Sequence, residues 1–253
     1  MNRMTGLLIV LVVAAVGIYV WRSRSTGSRT ASDLESTTIN PKTYTRALAD
    51  RPPEQAVSFG YKSQWLAVKT NDPTAALKAL GASVPRETSW SYGVAAPEGE
   101  LFVTPPLDGW VLVVGHFPEI VGKRDEKTLA LVSKLSAELG TEVQYFGTHR
   151  VVDYHAWIRA TKGQVSRAYA YLGERGETIL EMGEQTEEEK ALGLNFFDDG
   201  SSEAKNDEYW ERDDVTYPDE EDVMKVAGRW SINPTELEER GAVGRGWLAD
   251  WHP

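Results

Sequence analysis

Residues 150–172 read RVVDYHAWIRATKGQVSRAYAYL. Residues 150–161 and 164–172 are both rich in β-branched and aromatic residues, and a period of two runs through them. That period belongs to strands. Lys162-Gly163 between them is a two-residue hairpin turn, with glycine tolerating the positive φ such a turn demands. The pair predicts two antiparallel strands, with Val152, Tyr154, Ala156, Ile158 and Ala160 turned to the core. A regular hairpin sets His155 opposite Ala170, Trp157 opposite Ala168 and Arg159 opposite Ser166. Large residues facing small ones would leave a shallow polar groove.

Upstream, residues 64–69 (QWLAVK) read as a strand. Asp72-Pro73 starts a helix, with Asp as cap, Pro in the first turn and Ala76, Leu77 and Leu80 on one face; Gly81 ends it. A loop carrying Trp90 and Tyr92 follows. Residues 101–104 and 110–114 are strands split by PPLDG, and Asp125 caps a second helix bearing Leu129, Val132, Leu135 and Leu139. Residues 141–146 form the next strand. The order strand, helix, strand, strand, helix, strand is the βαββαβ, ferredoxin-like one. Residues 177–182, after the turn GERG, extend it as a β-meander. The fold class expected is therefore α+β with a largely antiparallel sheet.

Residues 218–227 (PDEEDVMKVA) predict a helix with acids in its first turn, where the dipole favours them. Asn233-Pro234-Thr235-Glu236 starts another, with Glu236 spaced for a capping box. Trp247 and Trp251 in GRGWLADWHP are four apart, so a helix would put them on one face as a clasp.

Residues 4–21 read MTGLLIVLVVAAVGIYVW, and eighteen such residues make roughly 27 Å of helix, enough to cross a bilayer core. This predicts a single-span anchor over 1–21, with Tyr19 and Trp21 at one interface. Arg22, Arg24 and Arg29 outnumber Arg3 and the amino terminus, so the positive-inside rule keeps the long C-terminal part in the cytoplasm, at an inner or plasma membrane. Residues 22–56 read as a flexible linker, with one short helix around 44–50. Residues 57–185 form the α+β core, 186–222 an acidic segment, and 223–253 C-terminal helices with a Trp-containing tail packed on the core.

Charge is laid out unevenly. Between Glu174 and Asp222 stand 19 acids and four bases, a net −15, while the whole chain carries −11, so the remainder sums to +4. With 27 basic against 38 acidic residues, nucleic acid is not the expected partner. The acidic segment is either a solvated excursion or a surface complementary to a basic protein. Tyr209, Trp210, Asp213 and Asp214 are its candidate binding residues, since aromatics among charges anchor partners. Trp157 and Arg159 on the hairpin's polar face join them as candidates.

The candidate chemistry is a His149, Asp153 and His155 cluster. All three have odd numbers, so a regular strand turns them to one face. Asp153 and His155, about 6.6 Å apart along a strand, are placed to share a metal, whereas His149 is about 20 Å from His155 without a bend. The same residues offer an imidazole and a carboxylate for a metal-dependent hydrolase. The competing reading is an ordinary polar sheet face. Other chemistry fails on spacing. Cysteine is absent, which excludes disulfides, zinc thiolates and a cysteine nucleophile. Residues 115–123 (GHFPEIVGK) lack P-loop spacing, and an EF-hand alignment on Gly200 puts Phe197 at a ligand position. No cofactor is expected. The leading expectation is a membrane-tethered, non-enzymatic adaptor, inhibitor or immunity-type protein that binds a basic partner, with the hydrolase as its alternative.

Overall fold

The computed structural model describes residues 53–96, 98–120 and 126–252. The expected anchor over 4–21, the short helix around 44–50 and the Asp125 cap lie outside them. Among the described residues no helix is long and apolar enough to cross a membrane.

The described chain is α+β, built on one nine-stranded antiparallel sheet. In chain order its first elements are β1 (Glu54–Gln55), β2 (Gln64–Val68), α1 (Pro73–Ala79), β3 (Arg86–Thr88) and α2 (Trp90–Val94). Then come β4 (Glu100–Val103), β5 (Val111–Val114), α3 (Glu126–Leu139) and β6 (Glu142–His149). The meander adds β7 (Tyr154–Thr161), β8 (Gln164–Leu172) and β9 (Glu177–Met182). After it follow α4 (Glu187–Ala191), α5 (Asp207–Trp210), α6 (Glu220–Trp230), β10 (Val243–Gly244) and β11 (Gly246–Asp250). Across the sheet the order is β3-β11-β4-β5-β2-β6-β7-β8-β9.

Local chemistry accounts for the helix ends. The Asp72 Oδ1 accepts from the backbone N–H of Thr74 at 2.9 Å and of Ala75 at 3.2 Å, satisfying two orphan donors of α1. Asp219 and Asp222 form a reciprocal capping box on α6. Asn233 caps only a 3₁₀ turn, Pro234–Glu236, and its side-chain amide donates to Glu236, so the expected backbone capping box does not close.

Both sheet faces are buried. Leu66, Val113, Val143, Tyr145, Ile158 and Ala168 point to one face and pack beneath α1 and α3. Trp65, Phe102, Leu112, Phe146, Trp157 and Tyr169 point to the other, covered by Trp90 of α2 and Val223, Val226, Ala227 and Trp230 of α6. Adjacent residues such as Trp65 and Leu66 are therefore both fully buried. Trp65 stacks on Phe146 at 5.1 Å, a pair contributing about 0.5–1.5 kcal/mol beyond area burial.

Four expectations are corrected. First, the hairpin register slips by one at a bulge between Arg159 and Ala160, with Ser166 as the extra residue, its hydroxyl donating to the Arg159 carbonyl at 3.2 Å. His155 thus opposes Tyr171, Trp157 opposes Tyr169 and Arg159 opposes Arg167. Large residues face large ones, and the expected groove is filled. Second, β7 begins at Tyr154, because residues 150–153 make a turn closing β6 onto β7. Third, the tail is a strand and not a helix: β11 lies between β3 and β4, antiparallel to both. Trp247 and Trp251 share a face at a spacing of four in either conformation, and two open sheet edges outweigh helical spacing. Fourth, Glu54–Gln55, expected in the linker, pairs with Val243–Gly244, and Ala56 behind it is buried.

Candidate functional site

The acidic segment is folded onto the sheet. Its first helix, α4, starts with Thr186, whose hydroxyl accepts from the Glu189 N–H while the Glu189 carboxylate accepts from the Thr186 N–H. That carboxylate also accepts from the Trp157 indole and from the Arg167 guanidinium, each at 2.9 Å. Glu189 and Arg167 are 0% and 1% exposed, so one acid of the segment serves as an internal anchor. Desolvating such a pair is costly, and the extra hydrogen bonds offset that cost.

Beyond α4 the chain builds a small lobe around Phe197, Tyr209 and Val215. A parallel bridge joins Phe196 to Thr216. The Asp198 Oδ1 accepts from the N–H of Thr178 on β9 and of Gly200, while the Asp198 N–H donates to the Tyr209 hydroxyl at 2.7 Å. Asp198 is thus occupied as a loop-tying residue.

Two aromatic rings stand out from this lobe. Trp210 stacks on Phe197 at 5.4 Å and crosses Tyr209 edge-on at 4.9 Å, with its indole N–H donating to the Ala204 carbonyl. Tyr217 lies 5.3 Å from Phe197 and donates to Asp199. They remain 40% and 44% exposed, with Phe197 packed against both. Around them residues 198–214 carry eight acids against Lys205 and Arg212. Arg212 is bound to Asp214 through two hydrogen bonds, and this holds the Asp214 carboxyl below the usual carboxylate range. Burial first, and Asp199 second, push the Tyr217 and Tyr171 hydroxyls up, so both rings stay neutral. The arrangement presents flat π surfaces within a negative field, which suits guanidinium and ammonium groups.

The residues selected from sequence divide between this lobe and elsewhere. Trp210, Asp213 and Asp214 lie on its exposed surface. Tyr209 is buried beneath as its support. Trp157 is wholly buried, stacked on Tyr169 at 4.6 Å under the acidic segment, and offers no accessible face. Arg159 binds Glu142 at 2.8 Å and lies over the Trp230 ring, joining β6 to α6. Phe197, Asp199 and Tyr217 were not selected; their signal was aromatic residues recurring within a stretch dominated by acids.

The histidine cluster does not assemble. His149 ends β6 opposite Tyr154, on the α1–α3 side, whereas His155 follows Tyr154 and points to the other side. The turn at 150–153 breaks the parity that odd numbering implied. His149 lies 3.2 Å from Glu119, and His155, buried, lies 2.8 Å from Asp153. Asp153 sits at φ +53 in the turn, its carbonyl accepting from Gly173. Among the described residues no three His, Asp or Glu side chains are placed to hold a metal ion. No protein-family model, curated protein or solved structure matches the chain.

Proposed function

We propose that this is a membrane-tethered interaction protein of adaptor, inhibitor or immunity type that binds a basic protein through the lobe of residues 196–217. The observation that carries this reading is the exposed pair Trp210 and Tyr217, both packed on Phe197, inside a field of eight acids and two bases. Rigid aromatics lose little entropy on contact, and the surrounding charge speeds encounter and rejects acidic surfaces. The tether rests on the apolar run of residues 4–21, and a cytoplasmic domain at an inner or plasma membrane rests on the basic residues that follow it. Residues 64–149 we read as a ferredoxin-like unit, supported by the antiparallel order β4-β5-β2-β6 with α1 and α3 on one side; β3, α2 and the inserted β11 depart from the bare pattern.

Affinity capture from the native membrane at low salt tests the function. A stoichiometric basic partner retained by wild type and lost by Trp210→Ala and by Asp213→Asn/Asp214→Asn supports it. A partner retained equally by these variants refutes it.

A further inference from the structure

A groove lies on the sheet face opposite the acidic lobe. The helix α3 packs over that face, whereas Leu194 and Phe196 of the acidic segment pack on the other. Lys127, Ala130, Leu131 and Lys134 recur at intervals of three and four, so they form one stripe along α3. This stripe lines a groove of about 390 Å³. The rest of its lining is Leu80, which caps the end of α1, with Pro118 after β5 and Trp251 and His252 after β11.

The groove is largely apolar, and polar groups of its lining are already met. The Trp251 indole N–H donates to the Leu80 carbonyl at 3.0 Å, and the Pro118 carbonyl accepts from the Thr128 hydroxyl at 2.7 Å. Leu80, Pro118 and Leu131 are half-buried and Ala130 is exposed, so apolar surface stays open to a ligand. The titratable side chains of the lining are all basic: Lys127, Lys134 and His252 are exposed, and no carboxylate of the described residues joins them. Lys134 lies 3.7 Å from Glu138, an exposed pair that a ligand displaces at small cost. Over the whole exposed surface of α3, Glu126 and Glu138 balance the two lysines. The helix therefore offers no broad basic face to a bilayer, and its excess of cations is confined to the groove.

We infer that this groove binds a medium-chain carboxylate, with its alkyl chain on Leu80, Ala130, Leu131 and Trp251 and its head group met by Lys127 and Lys134. The two lysines are seven residues, or about 10 Å, apart along the axis. Lysine stems lie along apolar surface while their heads reach for charge, so both cover the chain and close on one carboxylate. A carboxylate only accepts and an ammonium only donates, which matches head group to rim; an alcohol lacks the charge, and an amine repels it. The volume falls within the range of small-molecule sites. The inference does not rest on the acidic lobe and stands if the lobe binds nothing.

Calorimetric titration with octanoate tests the site, using the full chain in phosphatidylcholine nanodiscs and empty discs as the blank. Octan-1-ol and octylammonium are the neutral and cationic controls. Saturable one-to-one binding of octanoate is expected, at least about tenfold tighter than that of either control. It should weaken about tenfold or more in Lys127→Gln/Lys134→Gln, which keeps the stems and removes the charges. Ala130→Trp, which fills the groove from an exposed helical position, should abolish it. Circular dichroism spectra and melting curves confirm that both variants are folded. Absence of saturable octanoate binding, equal binding of the alcohol, or binding unchanged in the two folded variants overturns the inference. Tighter binding of soluble dihexanoyl phosphatidylglycerol than of octanoate gives the groove to a phospholipid and overturns it as well.

Discussion

Glu189 and Arg167 meet wholly inside the protein, carboxylate to guanidinium at 2.9 Å, with the Trp157 indole and the Thr186 N–H donating to the same carboxylate. One side of this pair belongs to the acidic segment and the other to β8. It attaches residues 186–222, of net charge −12, to a sheet that would otherwise expose Trp157 and Tyr169.

Removing one partner strands a buried charge. Glu189→Ala and Arg167→Ala are each expected to destabilise the chain by about 3–5 kcal/mol, read from urea unfolding. The double replacement Arg167→Met/Glu189→Leu removes both charges and should be milder than either single change. A double variant as damaged as the sum of the singles would show that the pair is not the anchor.

The support and the exposed surface of the lobe should separate. Tyr209→Phe deletes the hydroxyl that accepts from the Asp198 N–H, with an expected cost of about 1–3 kcal/mol and faster amide exchange at residues 198–200. Trp210→Ala should change global stability by less than about 1.5 kcal/mol while removing partner binding. Loss of the overall fold in Trp210→Ala would contradict this division.

The Asp72 cap gives a pH dependence of known sign. The Thr74 hydroxyl, opposed by slight desolvation and helped by the backbone N–H groups of Ala75 and Thr74, holds this carboxyl below its ordinary value. A lowered folded value stabilises above the unfolded one, near about 3.9, and the contribution fades as pH falls through the folded value. Asp72→Ala should therefore cost about 0.5–2 kcal/mol at neutral pH. The gap between wild type and variant should narrow below about pH 4. Melting curves of both across the acid range check this.

The last strand is paired on both sides, one place in from the edge of the sheet. Leu248, buried between β3 and β4, should cost about 2–5 kcal/mol when cut to Ala. Trp251→Phe deletes the indole donation to the Leu80 carbonyl and shrinks a buried ring packed on Phe117, and should cost about 1–4 kcal/mol. Slow amide exchange at Leu248 and Ala249 is expected from their place in the ladder; fast exchange there would contradict it.

Much of the sheet was legible because its signals are local. The bounds of β8 and β9 follow from alternation and turn residues, and Asp72-Pro73 marks α1 by capping chemistry alone. What escaped depends on distant partners. Nothing within 15 residues of Trp247 reports that β3 and β4 leave a gap for it. The bulge at Ser166 is invisible to alternation, yet it shifts every cross-strand partner beyond it. The histidine cluster failed for a related reason: parity carries along a strand, not through the turn at 150–153. In the acidic segment, charge was plain in the sequence, whereas the inward turn of Glu189 and the support of Trp210 by Phe197 required the fold.

The aromatic–acidic lobe is proposed to bind a basic protein. Its most direct test is the dissociation constant of the captured partner, measured between about 50 and about 500 mM salt for wild type and Trp210→Ala, since screening weakens long-range charge over that range. Affinity is expected to fall steeply with salt and to be at least about tenfold weaker in the variant throughout. Affinity that is flat with salt and equal in the two proteins would contradict it.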